Sequence, residues 1–201
     1  MAKTPGSSER SGTEMLRQDH LRVQKLFKDF DAIDRKDEEA VRELVETACL
    51  ELQIHSMLEE EIFYPAVRAQ GDGHEVEDLL NESDVEHESV DELISKLHEL
   101  EPDDPMYCAY FAVVTEYVKH HIKEEEQSLF PRAEKMKGLD LVQIGEDMRL
   151  RREELFAEME RSEEEDDATD ETSAQVDDSV PEADDGLEDE LEEIDISRTR
   201  H

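Results

Sequence analysis

Tryptophan is missing from this chain of 201 residues, and glycine and proline number only 7 and 6. So few turn residues argue against a fold of many short strands, because hairpins depend on Gly, Pro and Asn at their corners. Cysteine is almost as scarce. Cys49 and Cys108 stand in different predicted helices without CxxC spacing, which excludes a disulfide framework and leaves two reduced, small apolar fillers. No stretch approaches the roughly 20 apolar residues of a membrane span. The opening residues MAKTPGSSER have no apolar signal core, so a cytoplasmic protein is expected. Positive charge is also short: 22 Lys and Arg face 59 Asp and Glu, for a formal net charge of −37. Residues 161–201 hold 18 acidic and 3 basic residues, and the remainder of the chain is acidic as well. Such a surface repels phosphate backbones and anionic lipid heads, which excludes nucleic acid and membranes as partners and makes cations the natural ligands. Nothing in the sequence sets the oligomeric state.

What is abundant is helix-forming material. Charged residues make up 40% of the chain and hydrophobic ones 36%, enough for one core with an appendage. Residues 1–12 are small, polar and aperiodic and read as a disordered arm, with Thr13 the candidate N-cap of a first helix reaching about Asp34. Its stripe of Leu16, His20, Val23, Phe27 and Phe30 recurs at steps of four and three. A second helix over about 37–69 carries Val41, Val45, Ala48, Leu52, His55, Glu59, Ile62 and Ala66 on one face. A third, about 74–100, carries Val76, Leu80, Ser83, His87, Val90, Ile94 and Leu97. A fourth, about 105–136, carries Tyr107, Phe111, Val114, Val118, His121, Glu125 and Ser128. Four long helices with short links make an antiparallel up-down four-helix bundle over residues 13–136. Residues 137–160 are predicted to add a C-terminal helix, and 161–201, dominated by Asp, Glu, Ser and Thr, a disordered acidic tail. That tail is expected to be a solvated segment, with an interaction segment, a solubilising brush and adaptation to a salty cytoplasm as the other readings.

His20, His55, Glu59, His87, His121 and Glu125 all fall on the apolar stripes. An ionised carboxylate in a bundle core costs several kcal/mol unless it is paired or holds a metal. His55 and Glu59, like His121 and Glu125, stand one helical turn apart on one face and can share an ion. The segments HSMLEEEIFYP and HIKEEEQSLFP match in register, each with ten positions from its His to Pro65 or Pro131, and this selects His121 over His120. His20 precedes His55 by 35 positions, and His87 precedes His121 by 34. A two-helix unit is therefore used twice, and its pseudo-twofold brings six side chains to one level, two nitrogens per metal with the carboxylates free to bridge. Imidazole with carboxylate suits non-heme iron, with manganese and zinc as competitors.

His74, His98, His120 and His201 lack the repeat spacing and are read as ordinary surface or core histidines. Glu60, Glu61, Glu124 and Glu126 are read as a solvated face. Of Tyr64, Tyr110 and Tyr117, the last, one turn before His121, is the first candidate to lie near the centre. Asp19 and Glu86 point away from their own neighbouring histidines and are candidates to orient ligands on other helices.

The pattern DH…HxxxEE…FYP…EH…HxxxEE…LFP over roughly residues 13–136 resembles the hemerythrin family, in particular its HHE cation-binding branch. That resemblance implies two non-heme iron ions, oxo- or hydroxo- and carboxylate-bridged. In it Glu59 and Glu125 bridge, His20 and His55 serve one iron, and His87 and His121 the other. It also implies binding of dioxygen, nitric oxide or peroxide, either for storage, sensing or scavenging, or with turnover in stress defence, iron–sulfur cluster repair or iron homeostasis. Where oxygen-carrying hemerythrins have a further histidine one turn from the third-helix ligand, this chain has Ser83 and Asp91. A four-His, two-Glu set is similar to that of repair-of-iron-centres proteins and other bacterial HHE domains.

Overall fold

A computed structural model describes residues 10–71 and 73–173, and of residues 160 and 162–173 only the backbone. Helix α1 (Gly12–Ala32) opens with a capping box. Ser11, not Thr13, is the N-cap: its Oγ accepts from the Glu14 N–H and the Glu14 carboxylate accepts from the Ser11 N–H at 2.9 Å. Thr13 lies inside the first turn, buried, its hydroxyl donating to Glu134. Helix α2 (Glu38–Leu58) passes through a π-helical turn, Glu59–Phe63, into α3 (Tyr64–Arg68). Helices α4 (His74–His98) and α5 (Pro105–Glu124) repeat the arrangement, with a π-helical turn at Glu125–Leu129 and a short α6 (Phe130–Ala133). Hairpin α1–α2 packs on hairpin α4–α5 to close the four-helix bundle. Among the described residues there is no strand, and no helix is long and apolar enough to cross a membrane.

The π-helical turns have a local cause. Pro65 and Pro131 lack an N–H, and the proline ring clashes with the carbonyl four residues back, so the α-ladder cannot run through them. The chain widens instead, and the Tyr64 and Phe130 N–H groups bond the Glu59 and Glu125 carbonyls five residues back. This advances the buried stripe by one position. Beyond Glu59 the core takes Phe63 and Val67 where uninterrupted α-periodicity predicted Ile62 and Ala66, and beyond Glu125 it takes Leu129 instead of Ser128.

Apolar side chains form two clusters, one containing Val23, Phe27, Leu52, Ile94, Phe111 and Val118, the other Leu16, Ile54, Leu58, Phe63, Leu80 and Leu129. Helices α1, α2 and α4 pass from one cluster to the other, α5 does so through its π-helical turn and α6, and the six polar stripe residues lie at the crossing. Cys49 is buried and Cys108 partly so, both as free thiols, and burial pushes the Cys49 thiol up to about 12.

The last helix, α7 (Leu141–Ser173), buries Ile144, Met148 and Leu155 in the second cluster. It runs thirteen residues past the expected end at 160, so residues 161–173 are helical, not irregular. Loss of apolar residues there removes packing partners but not helix propensity, since glutamate and alanine remain good helix formers. The expected disorder of residues 174–201, like that of 1–9, lies outside the described residues. Helix α7 meets the start of α1 through glycine. A Cβ on Gly145 would stand 2.1 Å from the Arg10 carbonyl oxygen, and one on Gly12 would stand 2.7 Å from Ile144. Helix propensity alone favours Gly145→Ala by about 1 kcal/mol. The backbone contact reverses that sign, so Gly145→Ala is expected to lower the thermal midpoint, and a rise would refute the close helix crossing.

Candidate metal centre

The six stripe residues converge. His20, His55, His87 and His121 are each 7% exposed or less, and Glu59 and Glu125 are fully enclosed. Glu59 Oε2 lies 3.2 Å from His55 Nε2, 3.4 Å from His87 Nε2 and 3.8 Å from His121 Nε2. Glu125 Oε2 lies 3.2 Å from His20 Nε2 and 3.3 Å from His121 Nε2. Each carboxylate thus faces imidazoles of both hairpins. The groups fall into two overlapping sets, His20 with His55, Glu59 and Glu125, and His87 with His121 and Glu59.

On their outer sides the rings meet a second ring of carboxylates. His20 Nδ1 lies 2.9 Å from Glu126, His87 Nδ1 2.8 Å from Glu60, and His121 Nδ1 2.9 Å from Glu86. His55 Nδ1 faces Asp19 at 3.6 Å. A carboxylate can only accept, so at His20, His87 and His121 Nδ1–H donates and the Nε2 lone pair is turned inward, whereas His55 Nδ1 stands beyond hydrogen-bond reach of Asp19. Asp19 and Glu86 thus act across helices. Glu60 and Glu126 are not merely a solvated face: each is part-exposed yet holds a histidine of the opposite hairpin. The doubled glutamate of both HxxxEE segments was the available signal.

The π-helical turns complete the geometry by setting Tyr64 and Phe130 on the same face as Glu59 and Glu125. Tyr64 stacks on His87 with ring centroids 5.8 Å apart, and Phe130 on His20 at 5.6 Å. The Tyr64 hydroxyl lies 3.0 Å from Glu125 Oε1 and 3.2 Å from Glu59 Oε2. Tyr64, not Tyr117, is therefore the tyrosine of the centre. Tyr117 is 49% exposed, because the buried face of α5 runs through Val114, Val118 and His121 and leaves Tyr117 at its solvent edge. Tyr110 packs against the first apolar cluster. Among the other histidines, His98 and His74 are exposed, and His201 lies outside the described residues.

A cation fits this arrangement on three grounds. His20 Nε2, both nitrogens of His55, Glu59 Oε1 and Glu125 Oε2 are buried without a hydrogen-bond partner. With Nδ1–H committed to Glu60 and Glu86, the Nε2 lone pairs of His87 and His121 face each other 3.3 Å apart, which is repulsive unless a positive charge lies between them. Separations of 3.2–3.4 Å also suit neighbouring donors around one ion whose bonds are about 2.1 Å long.

Protons are the alternative cations. Burial disfavours charge on His20, His87 and His121, but the facing carboxylates outweigh it and raise all three, His87 to about 9. Burial likewise opposes ionisation of Glu59 and Glu125, yet the imidazoles hold both carboxyls below the ordinary range. Burial and the two adjacent carboxylates push the Tyr64 phenol well up, so it stays protonated and donates.

This is a helical bundle built around a buried cluster of histidines and glutamates that could hold a metal ion. The profile of the hemerythrin HHE cation binding domain matches residues 11–133, more than half of the chain, and the protein belongs to that family of metal-cation-binding domains. A solved structure, the hemerythrin HHE cation binding domain-containing protein of Mycobacterium kansasii, shares the fold. Its TM-score is 0.61 at 24% identity, covering 73% of this chain and 87% of that one. A protein named DNA nickase from Nostoc sp. (strain PCC 7120) is 26% identical over 134 residues, which are 64% of this chain and 36% of the relative. The chain spans about a third of that relative, and nicking activity does not transfer on such a match.

A raised imidazole stabilises the fold fully below its ordinary value of about 6.5, and that stability is lost as pH rises through the folded value. Protein stripped of metal should therefore lose thermal stability as pH climbs from about 6.5 through about 9. A midpoint independent of pH over that window, measured by circular dichroism, would contradict imidazolium as the counter-charge.

Proposed function

We infer that this chain is a non-heme di-iron protein that binds dioxygen or nitric oxide reversibly, for storage, sensing or scavenging in the cytoplasm. His20 and His55 would hold one ion and His87 and His121 the other, with Glu59 and Glu125 spanning the pair. Imidazole with carboxylate suits iron better than magnesium or calcium, and two free thiols suit a reducing compartment. Bound there, the ions supply redox chemistry and an open position for a small ligand.

The observation that carries this reading is a cavity of about 30 Å³ beside the histidines. It is lined by the four histidines, by the apolar Val23, Leu52, Val90, Val118 and Ile122, and by Asp19, Ser56, Glu86 and Asp91. That is room for a water-sized molecule, and a diatomic ligand fits it. Its five aliphatic side chains offer no hydrogen bond to water, and that part of the lining favours a weakly polar gas. The chain's own part is to orient the rings through the outer carboxylates, to exclude bulk water and to keep the Tyr64 proton against Glu125.

One feature favours a second reading. A buried hydroxyl shared between the two carboxylates is a proton store beside the centre, which suits turnover of peroxide or nitric oxide. Reduced, iron-loaded protein mixed with oxygen separates the two: a visible band that disappears on removing the gas supports binding, and one irreversible oxidation supports turnover.

Protein purified without added metal should carry about two irons per chain. Glu59→Ala or Glu125→Ala should lose half of that or more, whereas His98→Ala should lose none. Equal loss in all three would remove the assignment. Val118→Phe should keep its iron, cost about 1–3 kcal/mol through overpacking, and weaken the reversible oxygen band roughly tenfold or more. An unaltered gas response would show that the cavity is not the ligand pocket.

A further inference from the structure

The two hairpins are equivalent in sequence register but not in what covers them. Asp19, behind His55, is 1% exposed and ion-paired to Arg22 and to Arg152 of α7, whose guanidinium lies 2.8 Å away at Nη1. Ile54 and Leu58, on either side of His55, are buried in the same cluster as Ile144, Met148 and Leu155 of α7. On that edge, helix α7 brings both an apolar lid and a cation. The matching positions on the other hairpin are Glu86, His120 and Glu124. Glu86 turns Oε2 to His121 Nδ1 at 2.9 Å and Oε1 toward His120 Nε2 at 3.7 Å. His120 Nε2 is also 3.7 Å from Glu124 Oε1. His120 is 57% exposed at its side chain, and among the described residues no lysine or arginine pairs with Glu86 or Glu124.

We propose that Glu86, His120 and Glu124 form a second, solvent-accessible site for a divalent transition-metal ion, from which ions pass to the buried pair. Their donor atoms all lie within 4.8 Å of one another, close enough to share one ion. His120 and Glu124 stand one turn apart on α5, the spacing that also joins His121 to Glu125, and Glu86 of α4 closes the set. The equivalent carboxylate, Asp19, already holds a positive charge, the Arg152 guanidinium, where an ion would sit beside Glu86. Two carboxylates without a basic partner attract a cation, and the imidazole selects iron, manganese, cobalt or zinc over magnesium and calcium. Three protein donors leave the remaining positions to water, so the ion is held weakly and exchanges. The Glu86 carboxylate touches both sites, one oxygen at each, and forms the step between them. The outer site stands on its own residues; its role in delivery rests on the buried cluster being the metal centre proposed above.

The test uses the full-length chain stripped of metal and titrated with Co²⁺ in excess Mg²⁺, which occupies the general acidic surface. His120→Asn and Glu124→Gln change exposed or half-exposed residues that do not touch the buried pair, and unchanged helical circular dichroism checks folding. The wild type should bind one weakly held Co²⁺ more than either variant. All three should fill the tight pair to the same final absorbance, the variants roughly tenfold more slowly, at the low end of rate gains from local charge. Equal cobalt counts in wild type and variants overturn the site, and a lost ion with unchanged filling rate overturns delivery. A wild type that takes the weak ion but no tight pair keeps the outer site and sinks the buried-centre reading instead.

Discussion

Two ionised glutamates in the middle of a helical bundle are the constraint on which the rest of the structure turns. Glu59 and Glu125 are enclosed, and burying such charges uncompensated costs several kcal/mol each. Compensation comes from four imidazoles, three of them held inward by carboxylates hydrogen-bonded to their outer nitrogens and the fourth, His55, facing Asp19 at 3.6 Å. The inner layer wants a positive charge, whether protons or metal ions, and the outer layer fixes how the lone pairs face it. The two apolar clusters on either side keep water out of the layer between them. Stability and cation binding are therefore one property here, since whatever neutralises the glutamates also holds the bundle together.

The two prolines act at the same level of cause. Each breaks the α-ladder just beyond a buried glutamate, and the resulting π-helical turn rotates the next aromatic onto the face that carries the histidines. Tyr64 and Phe130 then stack on His87 and His20. The repeat is not perfect, because Tyr64 brings a hydroxyl where Phe130 brings none, and that difference makes the two halves of the centre chemically distinct. Helix α7 adds a second inequality by covering the Asp19 edge and leaving the Glu86 edge in contact with solvent.

Much of this was legible in the amino-acid order. A carboxylate or imidazole on an apolar stripe is an energetic anomaly visible without coordinates, and its repetition at 35 and 34 positions located all six converging residues. Less legible was the face each residue took after the prolines. Ile62 and Ser128 looked like core positions under unbroken α-periodicity, and the inserted residue moved the core to Phe63 and Leu129. The same one-residue advance hid Tyr64, whereas Tyr117 drew notice only by standing one turn before His121 and proved to lie at the solvent edge of α5. Glu60 and Glu126 were missed because a glutamate beside a ligand on its own helix points elsewhere, and only the opposite hairpin gives it a histidine to hold.

By itself, then, the order of residues determined the helices, the duplicated hairpin and the identity of the inward-facing polar groups, because these follow from periodicity and from the cost of burying charge. Tertiary structure alone decided which carboxylate supports which histidine, which tyrosine enters the centre, and which edge α7 closes. Those outcomes depend on contacts between segments far apart in the chain, and a change of one residue in helical register turns a side chain by about 100°.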